Sequence, residues 1–177
     1  MLLAAALPAT AAELRSVGFE RAEDRYIFES EAWFDAGVES IYAVLLDYDL
    51  SPQFSSGIVE ARNLPETAAG QPGFYVRNRG CVMFFCKAFE RTGSIDHEPF
   101  RVIRAAIDAD ASDFHFSNEV WEFRTEDDGT VIRYRAEFEP KFWVPPVIGP
   151  WLIRKTLESH GGDAINRIEA LAQEQSP

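Results

Sequence analysis

Residues 113–139 constrain the fold more than any other stretch of this chain. Two runs of period-two alternation meet at Asp128-Gly129, and Asp-Gly is the dipeptide of a two-residue hairpin turn. With that turn Asp127 faces Thr130, Phe123 pairs with Tyr134, Trp121 with Ala136 and Glu119 with Phe138. Ile132, Tyr134, Ala136 and Phe138 then share a face with Phe123, Trp121, Glu119, Ser117 and His115. The opposite face carries Arg133, Arg135, Glu137 and Glu139, with Glu122 across from Arg135. A hairpin with one apolar face and one ion-paired face belongs to an antiparallel sheet covered on one side only. A slip of one residue would turn the aromatics to water, so the faces are strongly specified.

The rest of the chain supplies more of the same sheet and its cover. Residues 26–34 alternate, with Tyr26, Phe28, Ser30, Ala32 and Phe34 on one side. Residues 35–49 read as a short helix carrying Val38, Ile41, Tyr42, Leu45 and Leu46 on one face. A second short helical piece follows at Pro52, with Asp49 or Ser51 as its cap. Strands are predicted over 57–64, 74–81, 86–96 and 100–108, before the 113–125 and 130–139 pair. A long helix runs to about residue 173, its stripe formed by Ile153, Leu157, Gly161, Ala164, Ile168 and Leu171. The order predicts an α+β domain over residues 24–173: a curved seven-stranded antiparallel sheet, two short helices after the first strand, and a long C-terminal helix over the sheet.

Charge and length narrow the function classes. With 177 residues, 46% of them apolar and 14 Phe, the chain can build a sizeable single core. A formal net charge of −12 excludes a nucleic-acid partner, which needs a basic footprint. It also excludes simple electrostatic adsorption to anionic lipid, so membrane contact would be transient, apolar and local. The sequence does not specify an oligomeric state.

Residues 1–12 form an apolar, alanine-rich run containing Ala9-Thr10-Ala11, the small-x-small pattern that precedes signal-peptidase cleavage. The run lacks a basic flank, so it reads either as a truncated secretory signal or as an alanine-rich tail. The signal reading makes this an exported, soluble, periplasmic protein. In such a compartment the two cysteines, Cys81 and Cys86, would bridge. A four-residue hairpin loop puts them opposite each other at roughly 4.5–5.5 Å, within disulfide reach. A continuous strand separates them by roughly 16 Å and leaves two thiols. The enclosed residues Val82, Met83, Phe84 and Phe85 would form an apolar tip, either a gate over a cavity or a surface that touches lipid. Phe142, Trp143 and Trp151, in a proline-punctuated segment, read as the same mouth or as packing beneath the last helix.

The element order resembles a known family, together with the run Leu45-Leu46-Asp47-Tyr48-Asp49, Pro52, Phe54, Gly57-Ile58, Glu60 and Arg62 and the Trp121–Phe123 strand before an acidic Gly turn. It is similar to the START-type, or polyketide cyclase/dehydrase, superfamily (SRPBCC), and within it to the coenzyme Q-binding START-like branch and the ribosome-association-toxin relatives. The resemblance covers residues 25–171. It implies a helix-grip (Bet v 1-like) fold with a deep apolar cavity between sheet and helix. It places the Cys81–Cys86 block on a hairpin where that branch has a proline-rich tip; this chain carries cysteines there instead.

No motif for a metal, phosphate or nucleophile occurs, and His97, His115 and His160 lack ligand spacing. No cofactor is expected. Ligand contacts fall on Trp121, Phe123, Tyr134, Phe138, Ser117 and Glu119. Glu119 and His115 are the acid/base candidates, unless they belong to a strand end splayed into solvent. Three functions are compatible: binding or transport of a lipid, isoprenoid or quinone-like molecule, a cyclase or hydrolase using Glu119 or His115, or a protein-interaction module.

Overall fold

The structure, a computed structural model, describes residues 11–82, 85–144 and 149–175. Eight strands form one antiparallel sheet in the order β1-β2-β8-β7-β6-β5-β4-β3. They are β1 (Glu13–Ala22), β2 (Arg25–Phe34), β3 (Ile58–Leu64), β4 (Gly73–Val82), β5 (Phe85–Glu98), β6 (Val102–Ile107), β7 (Phe114–Glu126) and β8 (Gly129–Pro140). Between β2 and β3 the chain crosses from one side of the sheet to the other through α1 (Val38–Leu46), a 3-10 turn (Tyr48–Leu50) and α2 (Ser51–Phe54). The last element is α3 (Gly149–Glu174).

The sheet has eight strands, not the seven expected. The additional one is β1, which pairs with β2 from Glu13↔Trp33 to Ala22↔Arg25. Its alternation is broken by an irregularity between Leu14 and Ser16. That bulge lets Leu14 and Val17, three residues apart, sit on one side, which hides the strand from a period-two reading.

The β7–β8 hairpin also closes differently. Glu126 pairs with Gly129, so Asp127-Asp128 makes the turn, and Asp127 takes the positive φ of 52°. The pairs are therefore Phe123↔Ile132, Trp121↔Tyr134 and Glu119↔Ala136, two residues from the expected register. A shift of two preserves every face. Gly129 is required by proximity rather than by turn geometry: a Cβ there would lie 2.4 Å from the Phe34 carbonyl oxygen and 2.7 Å from the Trp33 ring. The expected Glu122–Arg135 pair is replaced by bonds to β2, where Arg133 binds Glu31 and Arg135 binds Glu29.

The tightest core sits at one end of the inner face. Phe34, Ile41, Val44, Ile95 and Ile103 are nearly inaccessible, and Phe123, Ile132, Ile168 and Ala172 join them. Among the described side chains of α3 the buried positions are Ile168, Glu169 and Ala172, with Ile165 and Leu171 packed beside them. Of the expected stripe, Ile168 and Leu171 thus pack in the core, while Ala164 is half-buried and Ile153 and Leu157 lie outside the described side chains. At the junction before α1, the Thr130 hydroxyl donates to the Ala36 carbonyl at 2.8 Å with no exposure.

Candidate ligand-binding site

Beyond the tight core the inner face changes character. The Trp121 and Tyr134 rings lie 5.0 Å apart, Phe28 meets Tyr134 edge-on at 5.9 Å, and Tyr26 stacks on Phe138 at 5.6 Å. Further along, Phe138, Phe114, Phe89 and Phe142 form a chain of ring contacts of 5.4–6.1 Å. These aromatics come from β2, β5, β7 and β8 and the segment after β8. Alternation puts Trp121 and the aromatics of β2, β5 and β8 on the concave side. A bulge brings Phe114 to the same side, and Phe142 joins them through ring contacts with Phe89 and Phe114.

Between the core and this aromatic floor lies a polar cluster. Arg91 of β5 is ion-paired to Glu119 of β7, with side-chain exposures of only 14% and 12%. Alanines flank Glu119 in the register, Ala105 on β6 and Ala136 on β8. Their small size leaves the carboxylate room to reach an arginine two strands away. Tyr134 and Tyr48 complete the group, each in electrostatic contact with Arg91. Burial pushes the Tyr134 phenol up to about 12, with Arg91 opposing. The Tyr48 phenol is raised for the same reason against the same opposition. Burial also works against the Arg91 charge.

Three buried polar atoms of the described residues have no hydrogen-bond partner: Arg91 Nε, Tyr48 Oη and Asn78 Oδ1. Each such group costs about 1–3 kcal/mol when left unpaired. Tyr48 is held from both sides. Its ring stacks on Phe74 at 4.7 Å, and its backbone N–H donates to Asn63 Oδ1. Asn63 Nδ2 in turn donates to Asp47 and Asp49 at 2.6 and 3.0 Å. The Asp47-Tyr48-Asp49 run is therefore a clamp that fixes one phenol in the interior.

This arrangement offers donors rather than a free base. The phenols stay protonated near neutral pH, and the Glu119 carboxylate is engaged by Arg91. Such a set can orient a carbonyl or hydroxyl oxygen and polarise it. A second inner pair, Tyr42 Oη and His97 Nδ1 at 2.5 Å, sits at the core end, where Tyr42 also contacts Phe100 and Phe123.

The structure sorts the expected site residues. Trp121, Phe123, Tyr134, Phe138, Ser117 and Glu119 share the inner face; Phe123 and Ser117 are buried, Phe123 as part of the tight core. His115 does not join them. A bulge between Phe114 and Phe116 shifts the alternation, so Phe114 takes the inward position at 3% exposure and His115 is exposed. Glu119 is not a splayed strand end, because it lies mid-strand with pairs on both sides. Arg91 and Tyr48 were not legible as site residues. The available signal was the register, which puts Arg91 opposite the core residue Val76.

At the hairpin tip, Cys81 lies opposite Cys86 and Val82 opposite Phe85. Met83 and Phe84 lie outside the described residues. Phe142 packs on Phe89 and Phe114 and is capped by Lys87 at 4.5 Å, while Trp143 is 78% exposed. Trp151 falls in the first turn of α3.

A groove of about 270 Å³ on the other side of the sheet is lined by Gln71, Ser94, Asp96, Arg104 and Asn118. It lies among solvated ion pairs and lacks the aromatic lining of the concave side.

The model of the family described as "Polyketide cyclase / dehydrase and lipid transport" matches residues 34–159, more than half of the chain. The chain belongs to this family. No curated protein matches it in sequence. Among solved structures it is similar to the Zhui aromatase/cyclase from a Streptomyces species (15% identity, TM-score 0.63, covering 85% of this chain and 95% of that one). It is likewise similar to a START superfamily protein from Mycobacterium smegmatis (15%, 0.61, 85% and 99%). A third is a STAR-related lipid transfer protein from Xanthomonas axonopodis (13%, 0.61, 88% and 98%). At these identities the likeness establishes the fold, which is START-like and of the helix-grip type. Family membership supports a hydrophobic-ligand or cyclase role.

Proposed function

We propose that this protein binds and carries a hydrophobic small molecule, a lipid, isoprenoid or quinone-like compound, between the inner sheet face and α3. The carrying observation is the pair of unpartnered buried donors, Arg91 Nε and Tyr48 Oη, beside an aromatic floor. Burial of apolar surface supplies the affinity at about 25 cal/mol per Å², and the donors orient one oxygen of the ligand. Because Glu119 already neutralises Arg91, the favoured head group is a neutral oxygen, a ketone, quinone or hydroxyl, rather than a carboxylate. Native mass spectrometry of the protein from its own compartment should find a co-purifying apolar compound. An apolar fluorophore should bind saturably, and Tyr134→Asp should abolish that binding by placing a charge against the floor. Saturable binding that survives the substitution removes Tyr134 from the site.

The donor set also favours a cyclase reading, since Arg91 and two phenols could stabilise an enol oxygen of a poly-ketone. Turnover of such a substrate, lost in Tyr134→Phe, would move the protein to that class.

The compartment belongs to the same proposal. Export is supported by the Ala9-Thr10-Ala11 pattern, and a Cys81–Cys86 bridge by their opposed register. Transient lipid contact at the tip is supported by its composition and by exposed Trp143. Fusion to alkaline phosphatase tests the first, non-reducing peptide mapping the second. For the third, Phe84 and Phe85 replaced by Ser should slow transfer between vesicles with little change in melting temperature.

A further inference from the structure

Glu169, in the last turns of α3, is a buried carboxylate at 7% exposure. Its two oxygens accept from two backbone N–H groups far away in sequence: Oε2 from Asp35 at 2.7 Å and Oε1 from Ala12 at 3.1 Å. Gln173, one turn on, donates to the Asp35 carbonyl at 3.1 Å. The helix end thus grips both the residue that follows β2 and the residue that precedes β1. What Glu169 lacks is a counter-charge: among the described residues no basic side chain pairs with it. A buried carboxylate without one is costly.

The missing charge has a source in the chain itself. Ala12 directly follows Ala9-Thr10-Ala11, the small-x-small pattern after which a signal peptidase cuts. Hydrolysis of the Ala11–Ala12 peptide bond consumes one water. It leaves a carboxylate on Ala11 and an α-ammonium on Ala12, and that nitrogen already sits at hydrogen-bond distance from Glu169. Ala12 is half-buried and packs against the core cluster.

We propose that the chain is processed between Ala11 and Ala12, and that Glu169 is the receptor for the new amino terminus. Cleavage would turn a neutral amide–carboxylate hydrogen bond into a buried ion pair and lock β1 onto α3. The mature protein would therefore be tighter than its precursor. This inference rests on the export reading above, and its test separates the two.

The chain is expressed with its own N-terminal segment, including any residues upstream of Met1, and the exported product is sequenced from its amino end. Melting temperatures are then compared for cut and uncut chain, each with Glu169 and with Glu169→Gln, so that effects of the leader or of the cysteines cancel. We expect a terminus at Ala12. Cutting should raise the melting temperature by roughly 3 °C more with Glu169 than with Gln, about the shift of one kcal/mol in a chain of this size. If Glu169→Gln fails to fold, the wild-type α-amine serves. It should titrate above the ordinary range of about 7.7–8.0 and react slowly with amine reagents. Export with a terminus other than Ala12 overturns this inference alone. So does a terminus at Ala12 with no difference in the cycle and an ordinary α-amine. Retention in the cytoplasm overturns the export reading and this one with it.

Discussion

The two faces of the sheet solve the same chemical problem under opposite conditions. On the outer face Arg135 meets Glu29, Arg133 meets Glu31, and Arg25 meets Glu137 and Glu139, with exposures between 24% and 68%. On the inner face Arg91 meets Glu119 at 14% and 12%. Water screens the first set and supports any partner that is lost. Little water reaches the inner pair, so each ion depends on the other. The outer pairs link neighbouring strands across a solvated face. The inner pair fixes a charge-neutral, donor-bearing patch on the face proposed to hold a ligand.

The largest expected effect comes from breaking the inner pair on one side. Glu119→Ala strands the Arg91 charge and should cost about 3–5 kcal/mol in urea unfolding. A loss below about 1 kcal/mol would show that water reaches the pair freely and would erase the contrast between the faces.

Replacing both partners sharpens it. Arg91→Met with Glu119→Leu should restore stability to within about 1–2 kcal/mol of the parent. Affinity for an oxygen-bearing apolar ligand should fall roughly tenfold, about 1.4 kcal/mol, while a hydrocarbon of the same size binds as before. Equal losses for both ligands would make the pair a packing element only.

Alkaline titration probes the same patch. Tyr134 has its phenol raised from the usual 10 to about 12 by burial. A raised phenol favours the protonated, folded state. Its contribution is complete below pH 10 and is lost as pH climbs from 10 towards 12. The absorbance of phenolate should show a late-titrating component, missing in Tyr134→Phe, with stability falling over that window. A Tyr134 that titrates at the ordinary value would place it in solvent.

The smallest effect belongs to the outer face. Arg135→Ala should change stability by less than about 1 kcal/mol, and added salt should shrink that difference further.

Legibility followed the same division. Period-two alternation revealed both faces of β2, β7 and β8, and the hairpin lining survived a turn displaced by two residues because side-chain direction repeats every two. It could not reveal β1, where a bulge beside Arg15 breaks the repeat. It placed His115 wrongly for the same reason, since the bulge between Phe114 and Phe116 is silent in composition. Arg91 was invisible because a charged residue in a strand reads as solvated; only its partner two strands away makes it an interior group. Tyr48 lay inside the Asp47-Tyr48-Asp49 motif that carried the family resemblance. Its role became readable only with Asn63 in place.

The His115 bulge has a consequence for the history of the site. Along β7 it is the point where reading phase changes, much as a one-base insertion changes a reading frame. The bulge is what allows Phe114 and Ser117, three positions apart, to face the same side. Paired insertions or deletions at the Asp127-Asp128 turn lengthen or shorten the hairpin in phase, and evolution can try them without scrambling the lining. A single deletion at His115 would remove the bulge and leave Phe114 two positions from Ser117, still facing inward, whereas a single insertion elsewhere in β7 with no bulge to absorb it would turn the aromatics outward. The hairpin can thus change length in steps of two at its turn, and gain or lose a bulged residue at its other end, without scrambling the inner face.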